Sequence, residues 1–222
     1  MSAAVDQVPI SVITPWLDHP ELIADYEAAV RGAQVIVVDN GSEPAAARLL
    51  REMVERLGGV CVRNETNVGF AAANNQGLPH VERDLVLFLN DDVRGEPGFL
   101  QAVARDTSEG VLAGPSLQRQ LVYGMVLPYL EGWCLAARRA TWARIDRWDA
   151  ETYVGPYWED NDVCLRALCT GLGGWKDMSL SHPIRILRSD LGQMRPRRGF
   201  PTPFISALRP RCCDSCKCRY RR

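Results

Sequence analysis

Short apolar runs alternate with helical stripes along this chain, and the alternation predicts most of a sheet. Val8 to Thr14 alternates enough to be a first strand, closed at Thr14-Pro15-Trp16. From Pro20 to Arg31, Leu22, Ile23, Tyr26 and Val30 fall near one face of a helix that opens on proline, its favoured place. The β-branched run Val35-Ile36-Val37-Val38, stopped by Asp39-Asn40-Gly41-Ser42, predicts a second strand and its turn. Pro44 to Leu57 carries Leu49, Leu50, Met53, Val54 and Leu57 at helical spacing, and Gly58-Gly59 ends it. Val60-Cys61-Val62 is a short third strand, and Phe70 to Gly77 a small alanine-rich helix whose short side chains allow close packing. Leu85-Val86-Leu87-Phe88-Leu89 is uninterrupted, the pattern of a strand buried on both faces in a parallel sheet.

The second half continues the alternation. A helix is expected from Pro97 to Arg105, a strand at Val111-Leu112-Ala113-Gly114, and a strand from Tyr129 to Ala137 through the middle of the molecule. Thr141 to Trp148 reads as a short helix, Val163 to Cys169 as another stopped by Gly171, and Trp175 to His182 as a last strand and its exit. Strands and helices in this order predict an α/β fold with a doubly wound, mainly parallel sheet. Beyond Ser189 the periodicity disappears. The expected organisation is therefore one domain over residues 1–188 and a basic, cysteine-rich, poorly ordered tail over 189–222.

Charge sharpens that division. The formal net charge of −1 conceals 11 Lys/Arg against 2 acids from Arg185 onward, a balance of +9, so the body carries −10. Such a tail would meet an anionic partner or stay solvated. Its arginines, Arg195, Arg197, Arg198, Arg209 and Arg211, lack interleaved aromatics over most of the tail, which disfavours nucleic acid and makes peripheral contact with a membrane the use to expect if the tail docks. The first eight residues hold no Lys or Arg and no long apolar core, and no run approaches a spanning helix; the expected place is the cytoplasm, at the inner face of the membrane if the tail docks there. Cys61, Cys134, Cys164 and Cys169 sit among apolar neighbours and read as small buried hydrophobes. Cys212, Cys213, Cys216 and Cys218 crowd together without the distant second pair a zinc site needs.

The candidate chemistry lies where the fourth strand ends, in Asn90-Asp91-Asp92. Open α/β sheets bind ligands at the carboxyl ends of their strands, and adjacent acids there suit a hard divalent cation that bridges to phosphate. A solvated Asp-Asp turn is the plain alternative. Neither Gly-x-Gly-x-x-Gly after the first strand nor a Walker A sequence is present, so a nucleotide would be held another way.

Four segments together resemble the family 2 glycosyltransferases of the GT-A fold, in particular their rhamnosyltransferase-like branch. They are Val35 to Ser42, Asn64 to Gly77, Leu87 to Val93 and Tyr157 to Arg166, in the family's order. The resemblance implies that Asp39 hydrogen-bonds the base or ribose of a nucleotide sugar, although Asp39 also suits a turn-forming cap. It implies that Asn67, Gly69 and Asn75 shape the wall beside the nucleotide, where a capped helix start with a permissive glycine is the alternative. Asn90-Asp91-Asp92 matches the Asp-x-Asp-type motif, with Asp92 as ligand to Mn2+ or Mg2+ and Asp91 against the ribose or a metal-bound water. His182 matches the histidine that completes the metal site, or is a surface residue. Asp160 matches the general base, flanked by Gly132, Trp133, Trp158 and Glu159 on the acceptor side. Acids in a helix's first turn are also favoured by its dipole, and Asp162 is placed to pair with Arg166.

Two departures matter. The usual Thr-Tyr-Asn is here Thr14-Pro15-Trp16, so of that triplet only Thr14 is carried over as a nucleotide contact, and the segment before the Glu-Asp motif is altered at Arg147 to Glu151. The expected activity is metal-dependent, inverting transfer of a sugar from dTDP-rhamnose or a UDP-sugar to a hydroxyl of a glycan or glycolipid. The alternative is an inactive GT-A domain that binds a nucleotide or glycan. A nucleotidyltransferase is excluded, because it would show a glycine-rich basic loop where Thr14-Pro15-Trp16-Leu17-Asp18 stands.

Overall fold

A computed structural model describes residues 7–114, 117–122, 125–154, 158–170, 174–177 and 184–186. The expected tail at 189–222, with its cysteine cluster, and His182 both lie outside the described residues. Strands β1 (Ile10–Trp16), β2 (Gln34–Asp39), β3 (Val60–Arg63) and β4 (Leu85–Leu89) alternate with helices α1 (Ile23–Ala29), α2 (Pro44–Arg56) and α3 (Phe70–Gly77). After a three-residue strand β5 (Val93–Gly95) come α4 (Phe99–Asp106), β6 (Val111–Gly114), a β7–β8 hairpin (Leu117–Val122, Met125–Leu130) and β9 (Cys134–Arg138). Helices α5 (Arg139–Ile145) and α6 (Glu159–Cys169) precede β10 (Gly174–Asp177) and β11 (Ile184–Ile186).

Seven strands form the main sheet in the order β10-β6-β9-β4-β1-β2-β3. The pairs β1–β2, β1–β4, β2–β3 and β6–β10 are parallel, while β9 runs antiparallel between β4 and β6. The doubly wound, mainly parallel sheet is thus the one expected, with helices on both faces. β4 shows why: all five of its residues are buried. Leu85, Leu87 and Leu89 pack with Tyr26, Leu50 and Phe99 on the α1, α2 and α4 side, whereas Val86 and Phe88 pack with Trp142, Trp148 and Val163 on the other. Alternation with period two thus supplies both cores from one run. Phe88 meets Trp142 and Trp148 edge-to-face at centroid separations of 4.8 and 5.3 Å, and its burial alone stabilises the fold by about 2–3 kcal/mol.

Three expectations change. The continuous strand from Tyr129 to Ala137 is broken at 131–133, where β8 ends and β9 begins, because Gly132 and its neighbours turn to meet α6. The helix at Pro20 starts as a single 3-10 turn (Pro20–Leu22) before α1. The last helix begins at Glu159 rather than Val163, with Glu159, Asp160 and Asp162 in its first turn as the acidic run implied. Reading the main chain from β1, the strand order reverses direction between β1 and β4, and the mouth of that crevice is where an open α/β sheet binds its ligand.

Candidate active site

Three strands reach the crevice, and the residue after each faces it: Leu17 after β1, Asn40 after β2 and Asn90 after β4. With Pro15, Trp16, His19, Asn67, Gly69, Phe70, Asp91 and Val154 they line an open cavity of about 500 Å³, within the range of small-molecule sites. Of the expected nucleotide contacts, Asn67, Gly69, Asn90 and Asp91 are brought together there.

A network of amides holds the cavity wall. Asn40 donates to Asn67 Oδ1 at 2.8 Å and accepts from Val68 N–H at 3.1 Å and Asn64 Nδ2 at 3.2 Å. Asn67 Oδ1 also accepts the Gly69 N–H at 2.8 Å, and Asn64 and Gln76 exchange two amide bonds at 2.8 and 2.9 Å. Gly69 opens α3 at φ 90°, ψ 162°, a conformation open essentially to glycine alone. A Cβ there would stand 2.8 Å from the Val154 carbonyl oxygen. The wall therefore needs glycine for both conformation and space.

Three of the expected contacts are engaged elsewhere. Thr14 lies within β1, two residues before its end; its hydroxyl is buried and accepts the Tyr26 hydroxyl at 2.7 Å. Burial pushes the Tyr26 phenol upward, the Thr14 bond opposes this, and the Asp91 charge adds to it. Asp39 is also buried, accepts the Ser42 N–H at 2.9 Å and is ion-paired with Arg63. That carboxylate ties the β2 turn to the end of β3, and its neighbour Asn40 faces the cavity in its place. Asn75 grips the backbone of Trp148, donating to its carbonyl at 2.8 Å and accepting its N–H at 3.0 Å. Its amide therefore anchors the 146–149 loop rather than the cavity wall.

The acidic end of β4 is partly buried at Asn90, Asp91 and Asp92. The Asn90 N–H donates to the Trp133 carbonyl at 2.9 Å. Buried Asn90 Oδ1 accepts no hydrogen bond among the described residues. Two carboxylates and an amide oxygen are hard oxygen donors, and such a set suits Mg2+ or Mn2+ completed by substrate phosphate. Among the described residues no group of three or more His, Cys, Asp or Glu stands together as a metal centre.

One residue from that contact, Gly132 donates its N–H to Asp160 Oδ2 at 3.2 Å. Asp160 Oδ1 accepts the Asn161 N–H at 2.8 Å. Burial raises the Asp160 carboxyl above the usual carboxylate range, and the Glu131 charge adds to this against the backbone N–H groups. Trp158 caps α6 in the left-handed region at φ 77°, and partly buried Glu159 follows it. The Trp133 indole donates to Glu131 Oε2 at 3.1 Å. Burial likewise raises the Tyr129 phenol, with Asp160 and Glu131 adding to the effect. Asp162, expected to pair with Arg166, does so in the interior at 2.8 Å.

Sequence reasoning missed Asn40, His19, Phe70 and Val154 in the cavity, and Tyr129 and Glu131 beside Asp160. Position just past a strand end would have found Asn40. His19 and Val154 arrive from loops with no local signal.

Comparison with known proteins agrees with this arrangement. The profile of Glycosyl transferase family 2 matches residues 11–148. An undecaprenyl-phosphate 4-deoxy-4-formamido-L-arabinose transferase from Klebsiella pneumoniae is 30% identical over 111 residues, 46% of this chain and 34% of its own length. The protein of the same description from Pseudomonas aeruginosa is 31% identical over 111 residues, 46% of this chain and 33% of its own. The chain thus spans about a third of the length of these relatives. A mannosyltransferase from Pyrobaculum calidifontis, solved with GDP-Man and Mn2+, superposes with a TM-score of 0.60 at 17% identity, covering 79% of this chain and 57% of that one. S. aureus TarS gives 0.55 at 18%, covering 72% and 33%. The sheet order, the acidic end of β4 and the matched span lead to one conclusion: the chain belongs to glycosyl transferase family 2.

Proposed function

We propose that this chain is an inverting, metal-dependent glycosyltransferase that moves a sugar from a nucleotide-diphosphate donor to a hydroxyl of a glycan or glycolipid. One observation carries the reading: the acidic end of β4 and the Asp160 carboxylate are attached to adjacent residues, Trp133 and Gly132, of a single segment. A transferase needs an electrophile-side anchor and a base held at fixed separation, and this segment supplies that link.

Asn67, Gly69, Asn90 and Asp91 would bind the nucleotide in the cavity. Asp91 and Asp92, with Asn90, would hold Mn2+ or Mg2+; His182 is the further ligand implied by family resemblance. When bound, the cation neutralises charge on the departing nucleoside diphosphate. Asp160 takes the proton of the acceptor hydroxyl as its oxygen attacks the anomeric carbon. The bond to the diphosphate breaks, its electron pair leaves on the phosphate oxygen, and a single displacement inverts the centre. The raised proton affinity of Asp160 makes it a stronger base than an exposed carboxylate.

dTDP-rhamnose or a UDP-sugar is the proposed donor, on the rhamnosyl-like motifs. Relatives named for undecaprenyl phosphate support a membrane-borne acceptor, to which the arginine-rich stretch 189–222 would dock from the cytoplasmic face. Among the described residues no helix is long and apolar enough to cross a membrane.

The test is thermal stabilisation by UDP, dTDP and GDP, each with and without Mn2+, on the wild type and Asp92→Ala. A ligand that binds only the folded state must raise the melting temperature. Metal-dependent stabilisation by one nucleotide, lost in Asp92→Ala, is expected. No shift with any nucleotide would overturn the donor site.

A further inference from the structure

We infer that Gly132 is a positioning residue for the base: its N–H and its missing side chain together set where the Asp160 carboxylate stands relative to the acidic end of β4. The inference rests on the reading of Asp160 as base, and goes beyond placing Gly132 on the acceptor side.

The geometry is specific. Gly132 N–H lies 3.2 Å from Asp160 Oδ2. A Cβ built on Gly132 would stand 3.1 Å from Asp160 Cβ, with Oδ2 and Cγ at 3.7 and 3.8 Å. All three nearest atoms belong to Asp160, so a methyl group there would press on this one side chain. The backbone does not itself demand glycine, because Gly132 is absent from the residues with positive φ. Lack of conformational need and close approach to a single carboxylate together mark a spacing role. The next residue completes it: the Trp133 carbonyl accepts the Asn90 N–H at 2.9 Å. Asp160 and the Asn90-Asp91-Asp92 turn are thus each hydrogen-bonded to one of two adjacent residues.

The charged and titratable groups acting on Asp160 come from two directions. Glu131 and Tyr129 belong to the β8 end, and Cys164 to α6 itself. The Glu131 charge disfavours ionised Asp160, the buried Cys164 thiol donates to the Leu130 carbonyl instead, and backbone N–H groups, Gly132's among them, favour the charged form. A donated hydrogen bond favours the charged carboxylate, so weakening it raises the proton affinity further. Moving Asp160 by a few tenths of an ångström also moves the base away from the acceptor hydroxyl, and small misplacements in a reacting pair are costly.

The experiment is Gly132→Ala, read in two ways. The Asp160 carboxyl is titrated by 13C NMR on protein labelled at aspartate, with Asp160→Asn assigning the resonance. Gly132→Ala should raise its pKa by about one unit while the melting temperature stays near the wild type. In parallel, release of nucleoside diphosphate is followed from dTDP-rhamnose, UDP-glucose and GDP-mannose, with water standing in for the acceptor. On the donor that turns over, kcat should fall roughly tenfold in Gly132→Ala with KM for the donor unchanged. An unchanged Asp160 titration in Gly132→Ala overturns the positioning role whatever the kinetics. A shifted titration with full turnover in Asp160→Asn overturns instead the reading of Asp160 as base, and with it any catalytic purpose for the spacing. A shifted titration together with loss of kcat in both variants supports both.

Discussion

Gly69→Ala should damage the fold and the cavity together, and the structure sets the size of the effect. Gly69 stands at φ 90°, ψ 162°, where an L-residue is strained by about 1–3 kcal/mol. The new Cβ would also lie 2.8 Å from the Val154 carbonyl oxygen, well inside the 3.4 Å at which ordinary contact begins. Relief requires moving either the start of α3 or the 153–154 segment, and both line the cavity. The combined cost is about 2–4 kcal/mol. At roughly 2–4 °C per kcal/mol for a chain of this size, the melting temperature should fall by roughly 5–15 °C. Gly58→Ala is the control, because Gly58 has φ 64° with nothing within 4 Å of a Cβ. It should cost only the left-handed penalty of about 1–2 kcal/mol. Circular-dichroism melts of the two variants, followed by nucleotide-induced stabilisation of each, make the comparison. Gly69→Ala should melt lower than Gly58→Ala and lose its response to nucleotide, while Gly58→Ala keeps it. Equal melting temperatures would refute the contact with Val154. A lower melt with an undiminished nucleotide response would refute the placement of the nucleotide against this wall.

Asn75→Ala should lower stability by about 1–3 kcal/mol, since it strips both hydrogen bonds from the Trp148 backbone. Nucleotide affinity should change by less than about threefold, a loss within roughly 0.7 kcal/mol; isothermal titration alongside a melt separates the two, and a large affinity loss at unchanged stability would restore Asn75 to the cavity. The pH profile of kcat/KM should show an acidic limb above the usual carboxylate range, because burial and then Glu131 raise the proton affinity of Asp160. The base works deprotonated, so activity must rise as pH climbs through that raised pKa, and Asp160→Asn should abolish the limb with the activity; a limb at the position of an ordinary exposed carboxylate would contradict the assignment.

How legible all this was depended on how local each signal is. Leu85 to Leu89 declares a doubly buried strand by itself, and the short apolar run Val111 to Gly114 declares another, buried from Leu112 on. The β7–β8 hairpin was invisible because Leu117 to Arg119 are exposed and carry no apolar run. The strands β5 and β11 are three residues each, too short for any periodicity, and exist through pairing with one another. Side-chain direction was the larger gap. Thr14, Asp39 and Asn75 sit in segments that match the family pattern, yet matching a segment does not say which way a residue points. Thr14 is directed at Tyr26 by its place inside β1, and Asp39 at Arg63 by the register that sets it opposite that residue in β3.

The side chains that do reach the cavity obey a simpler rule, which the strand ends make physical. β1 stops at Trp16, β2 at Asp39 and β4 at Leu89, and the residue following each, Leu17, Asn40 and Asn90, faces the crevice. Inside β2 and β4 the side chains are committed to the two helical layers and only the residue past the strand end reaches the crevice, whereas β1 also lines it with its last two residues, Pro15 and Trp16. Asn40 then turns its amide onto Asn67, Asn64 and Val68, which makes it the brace of the wall. Leu17 offers only apolar surface. Among the described residues, Asn90 is the one of the three whose buried side-chain oxygen accepts no hydrogen bond, next to Asp91 and Asp92. The end of β4 is therefore where the proposed chemistry has oxygen donors to spare, while Asn40 is spent bracing the wall, and the segment at Gly132-Trp133 ties that end to Asp160.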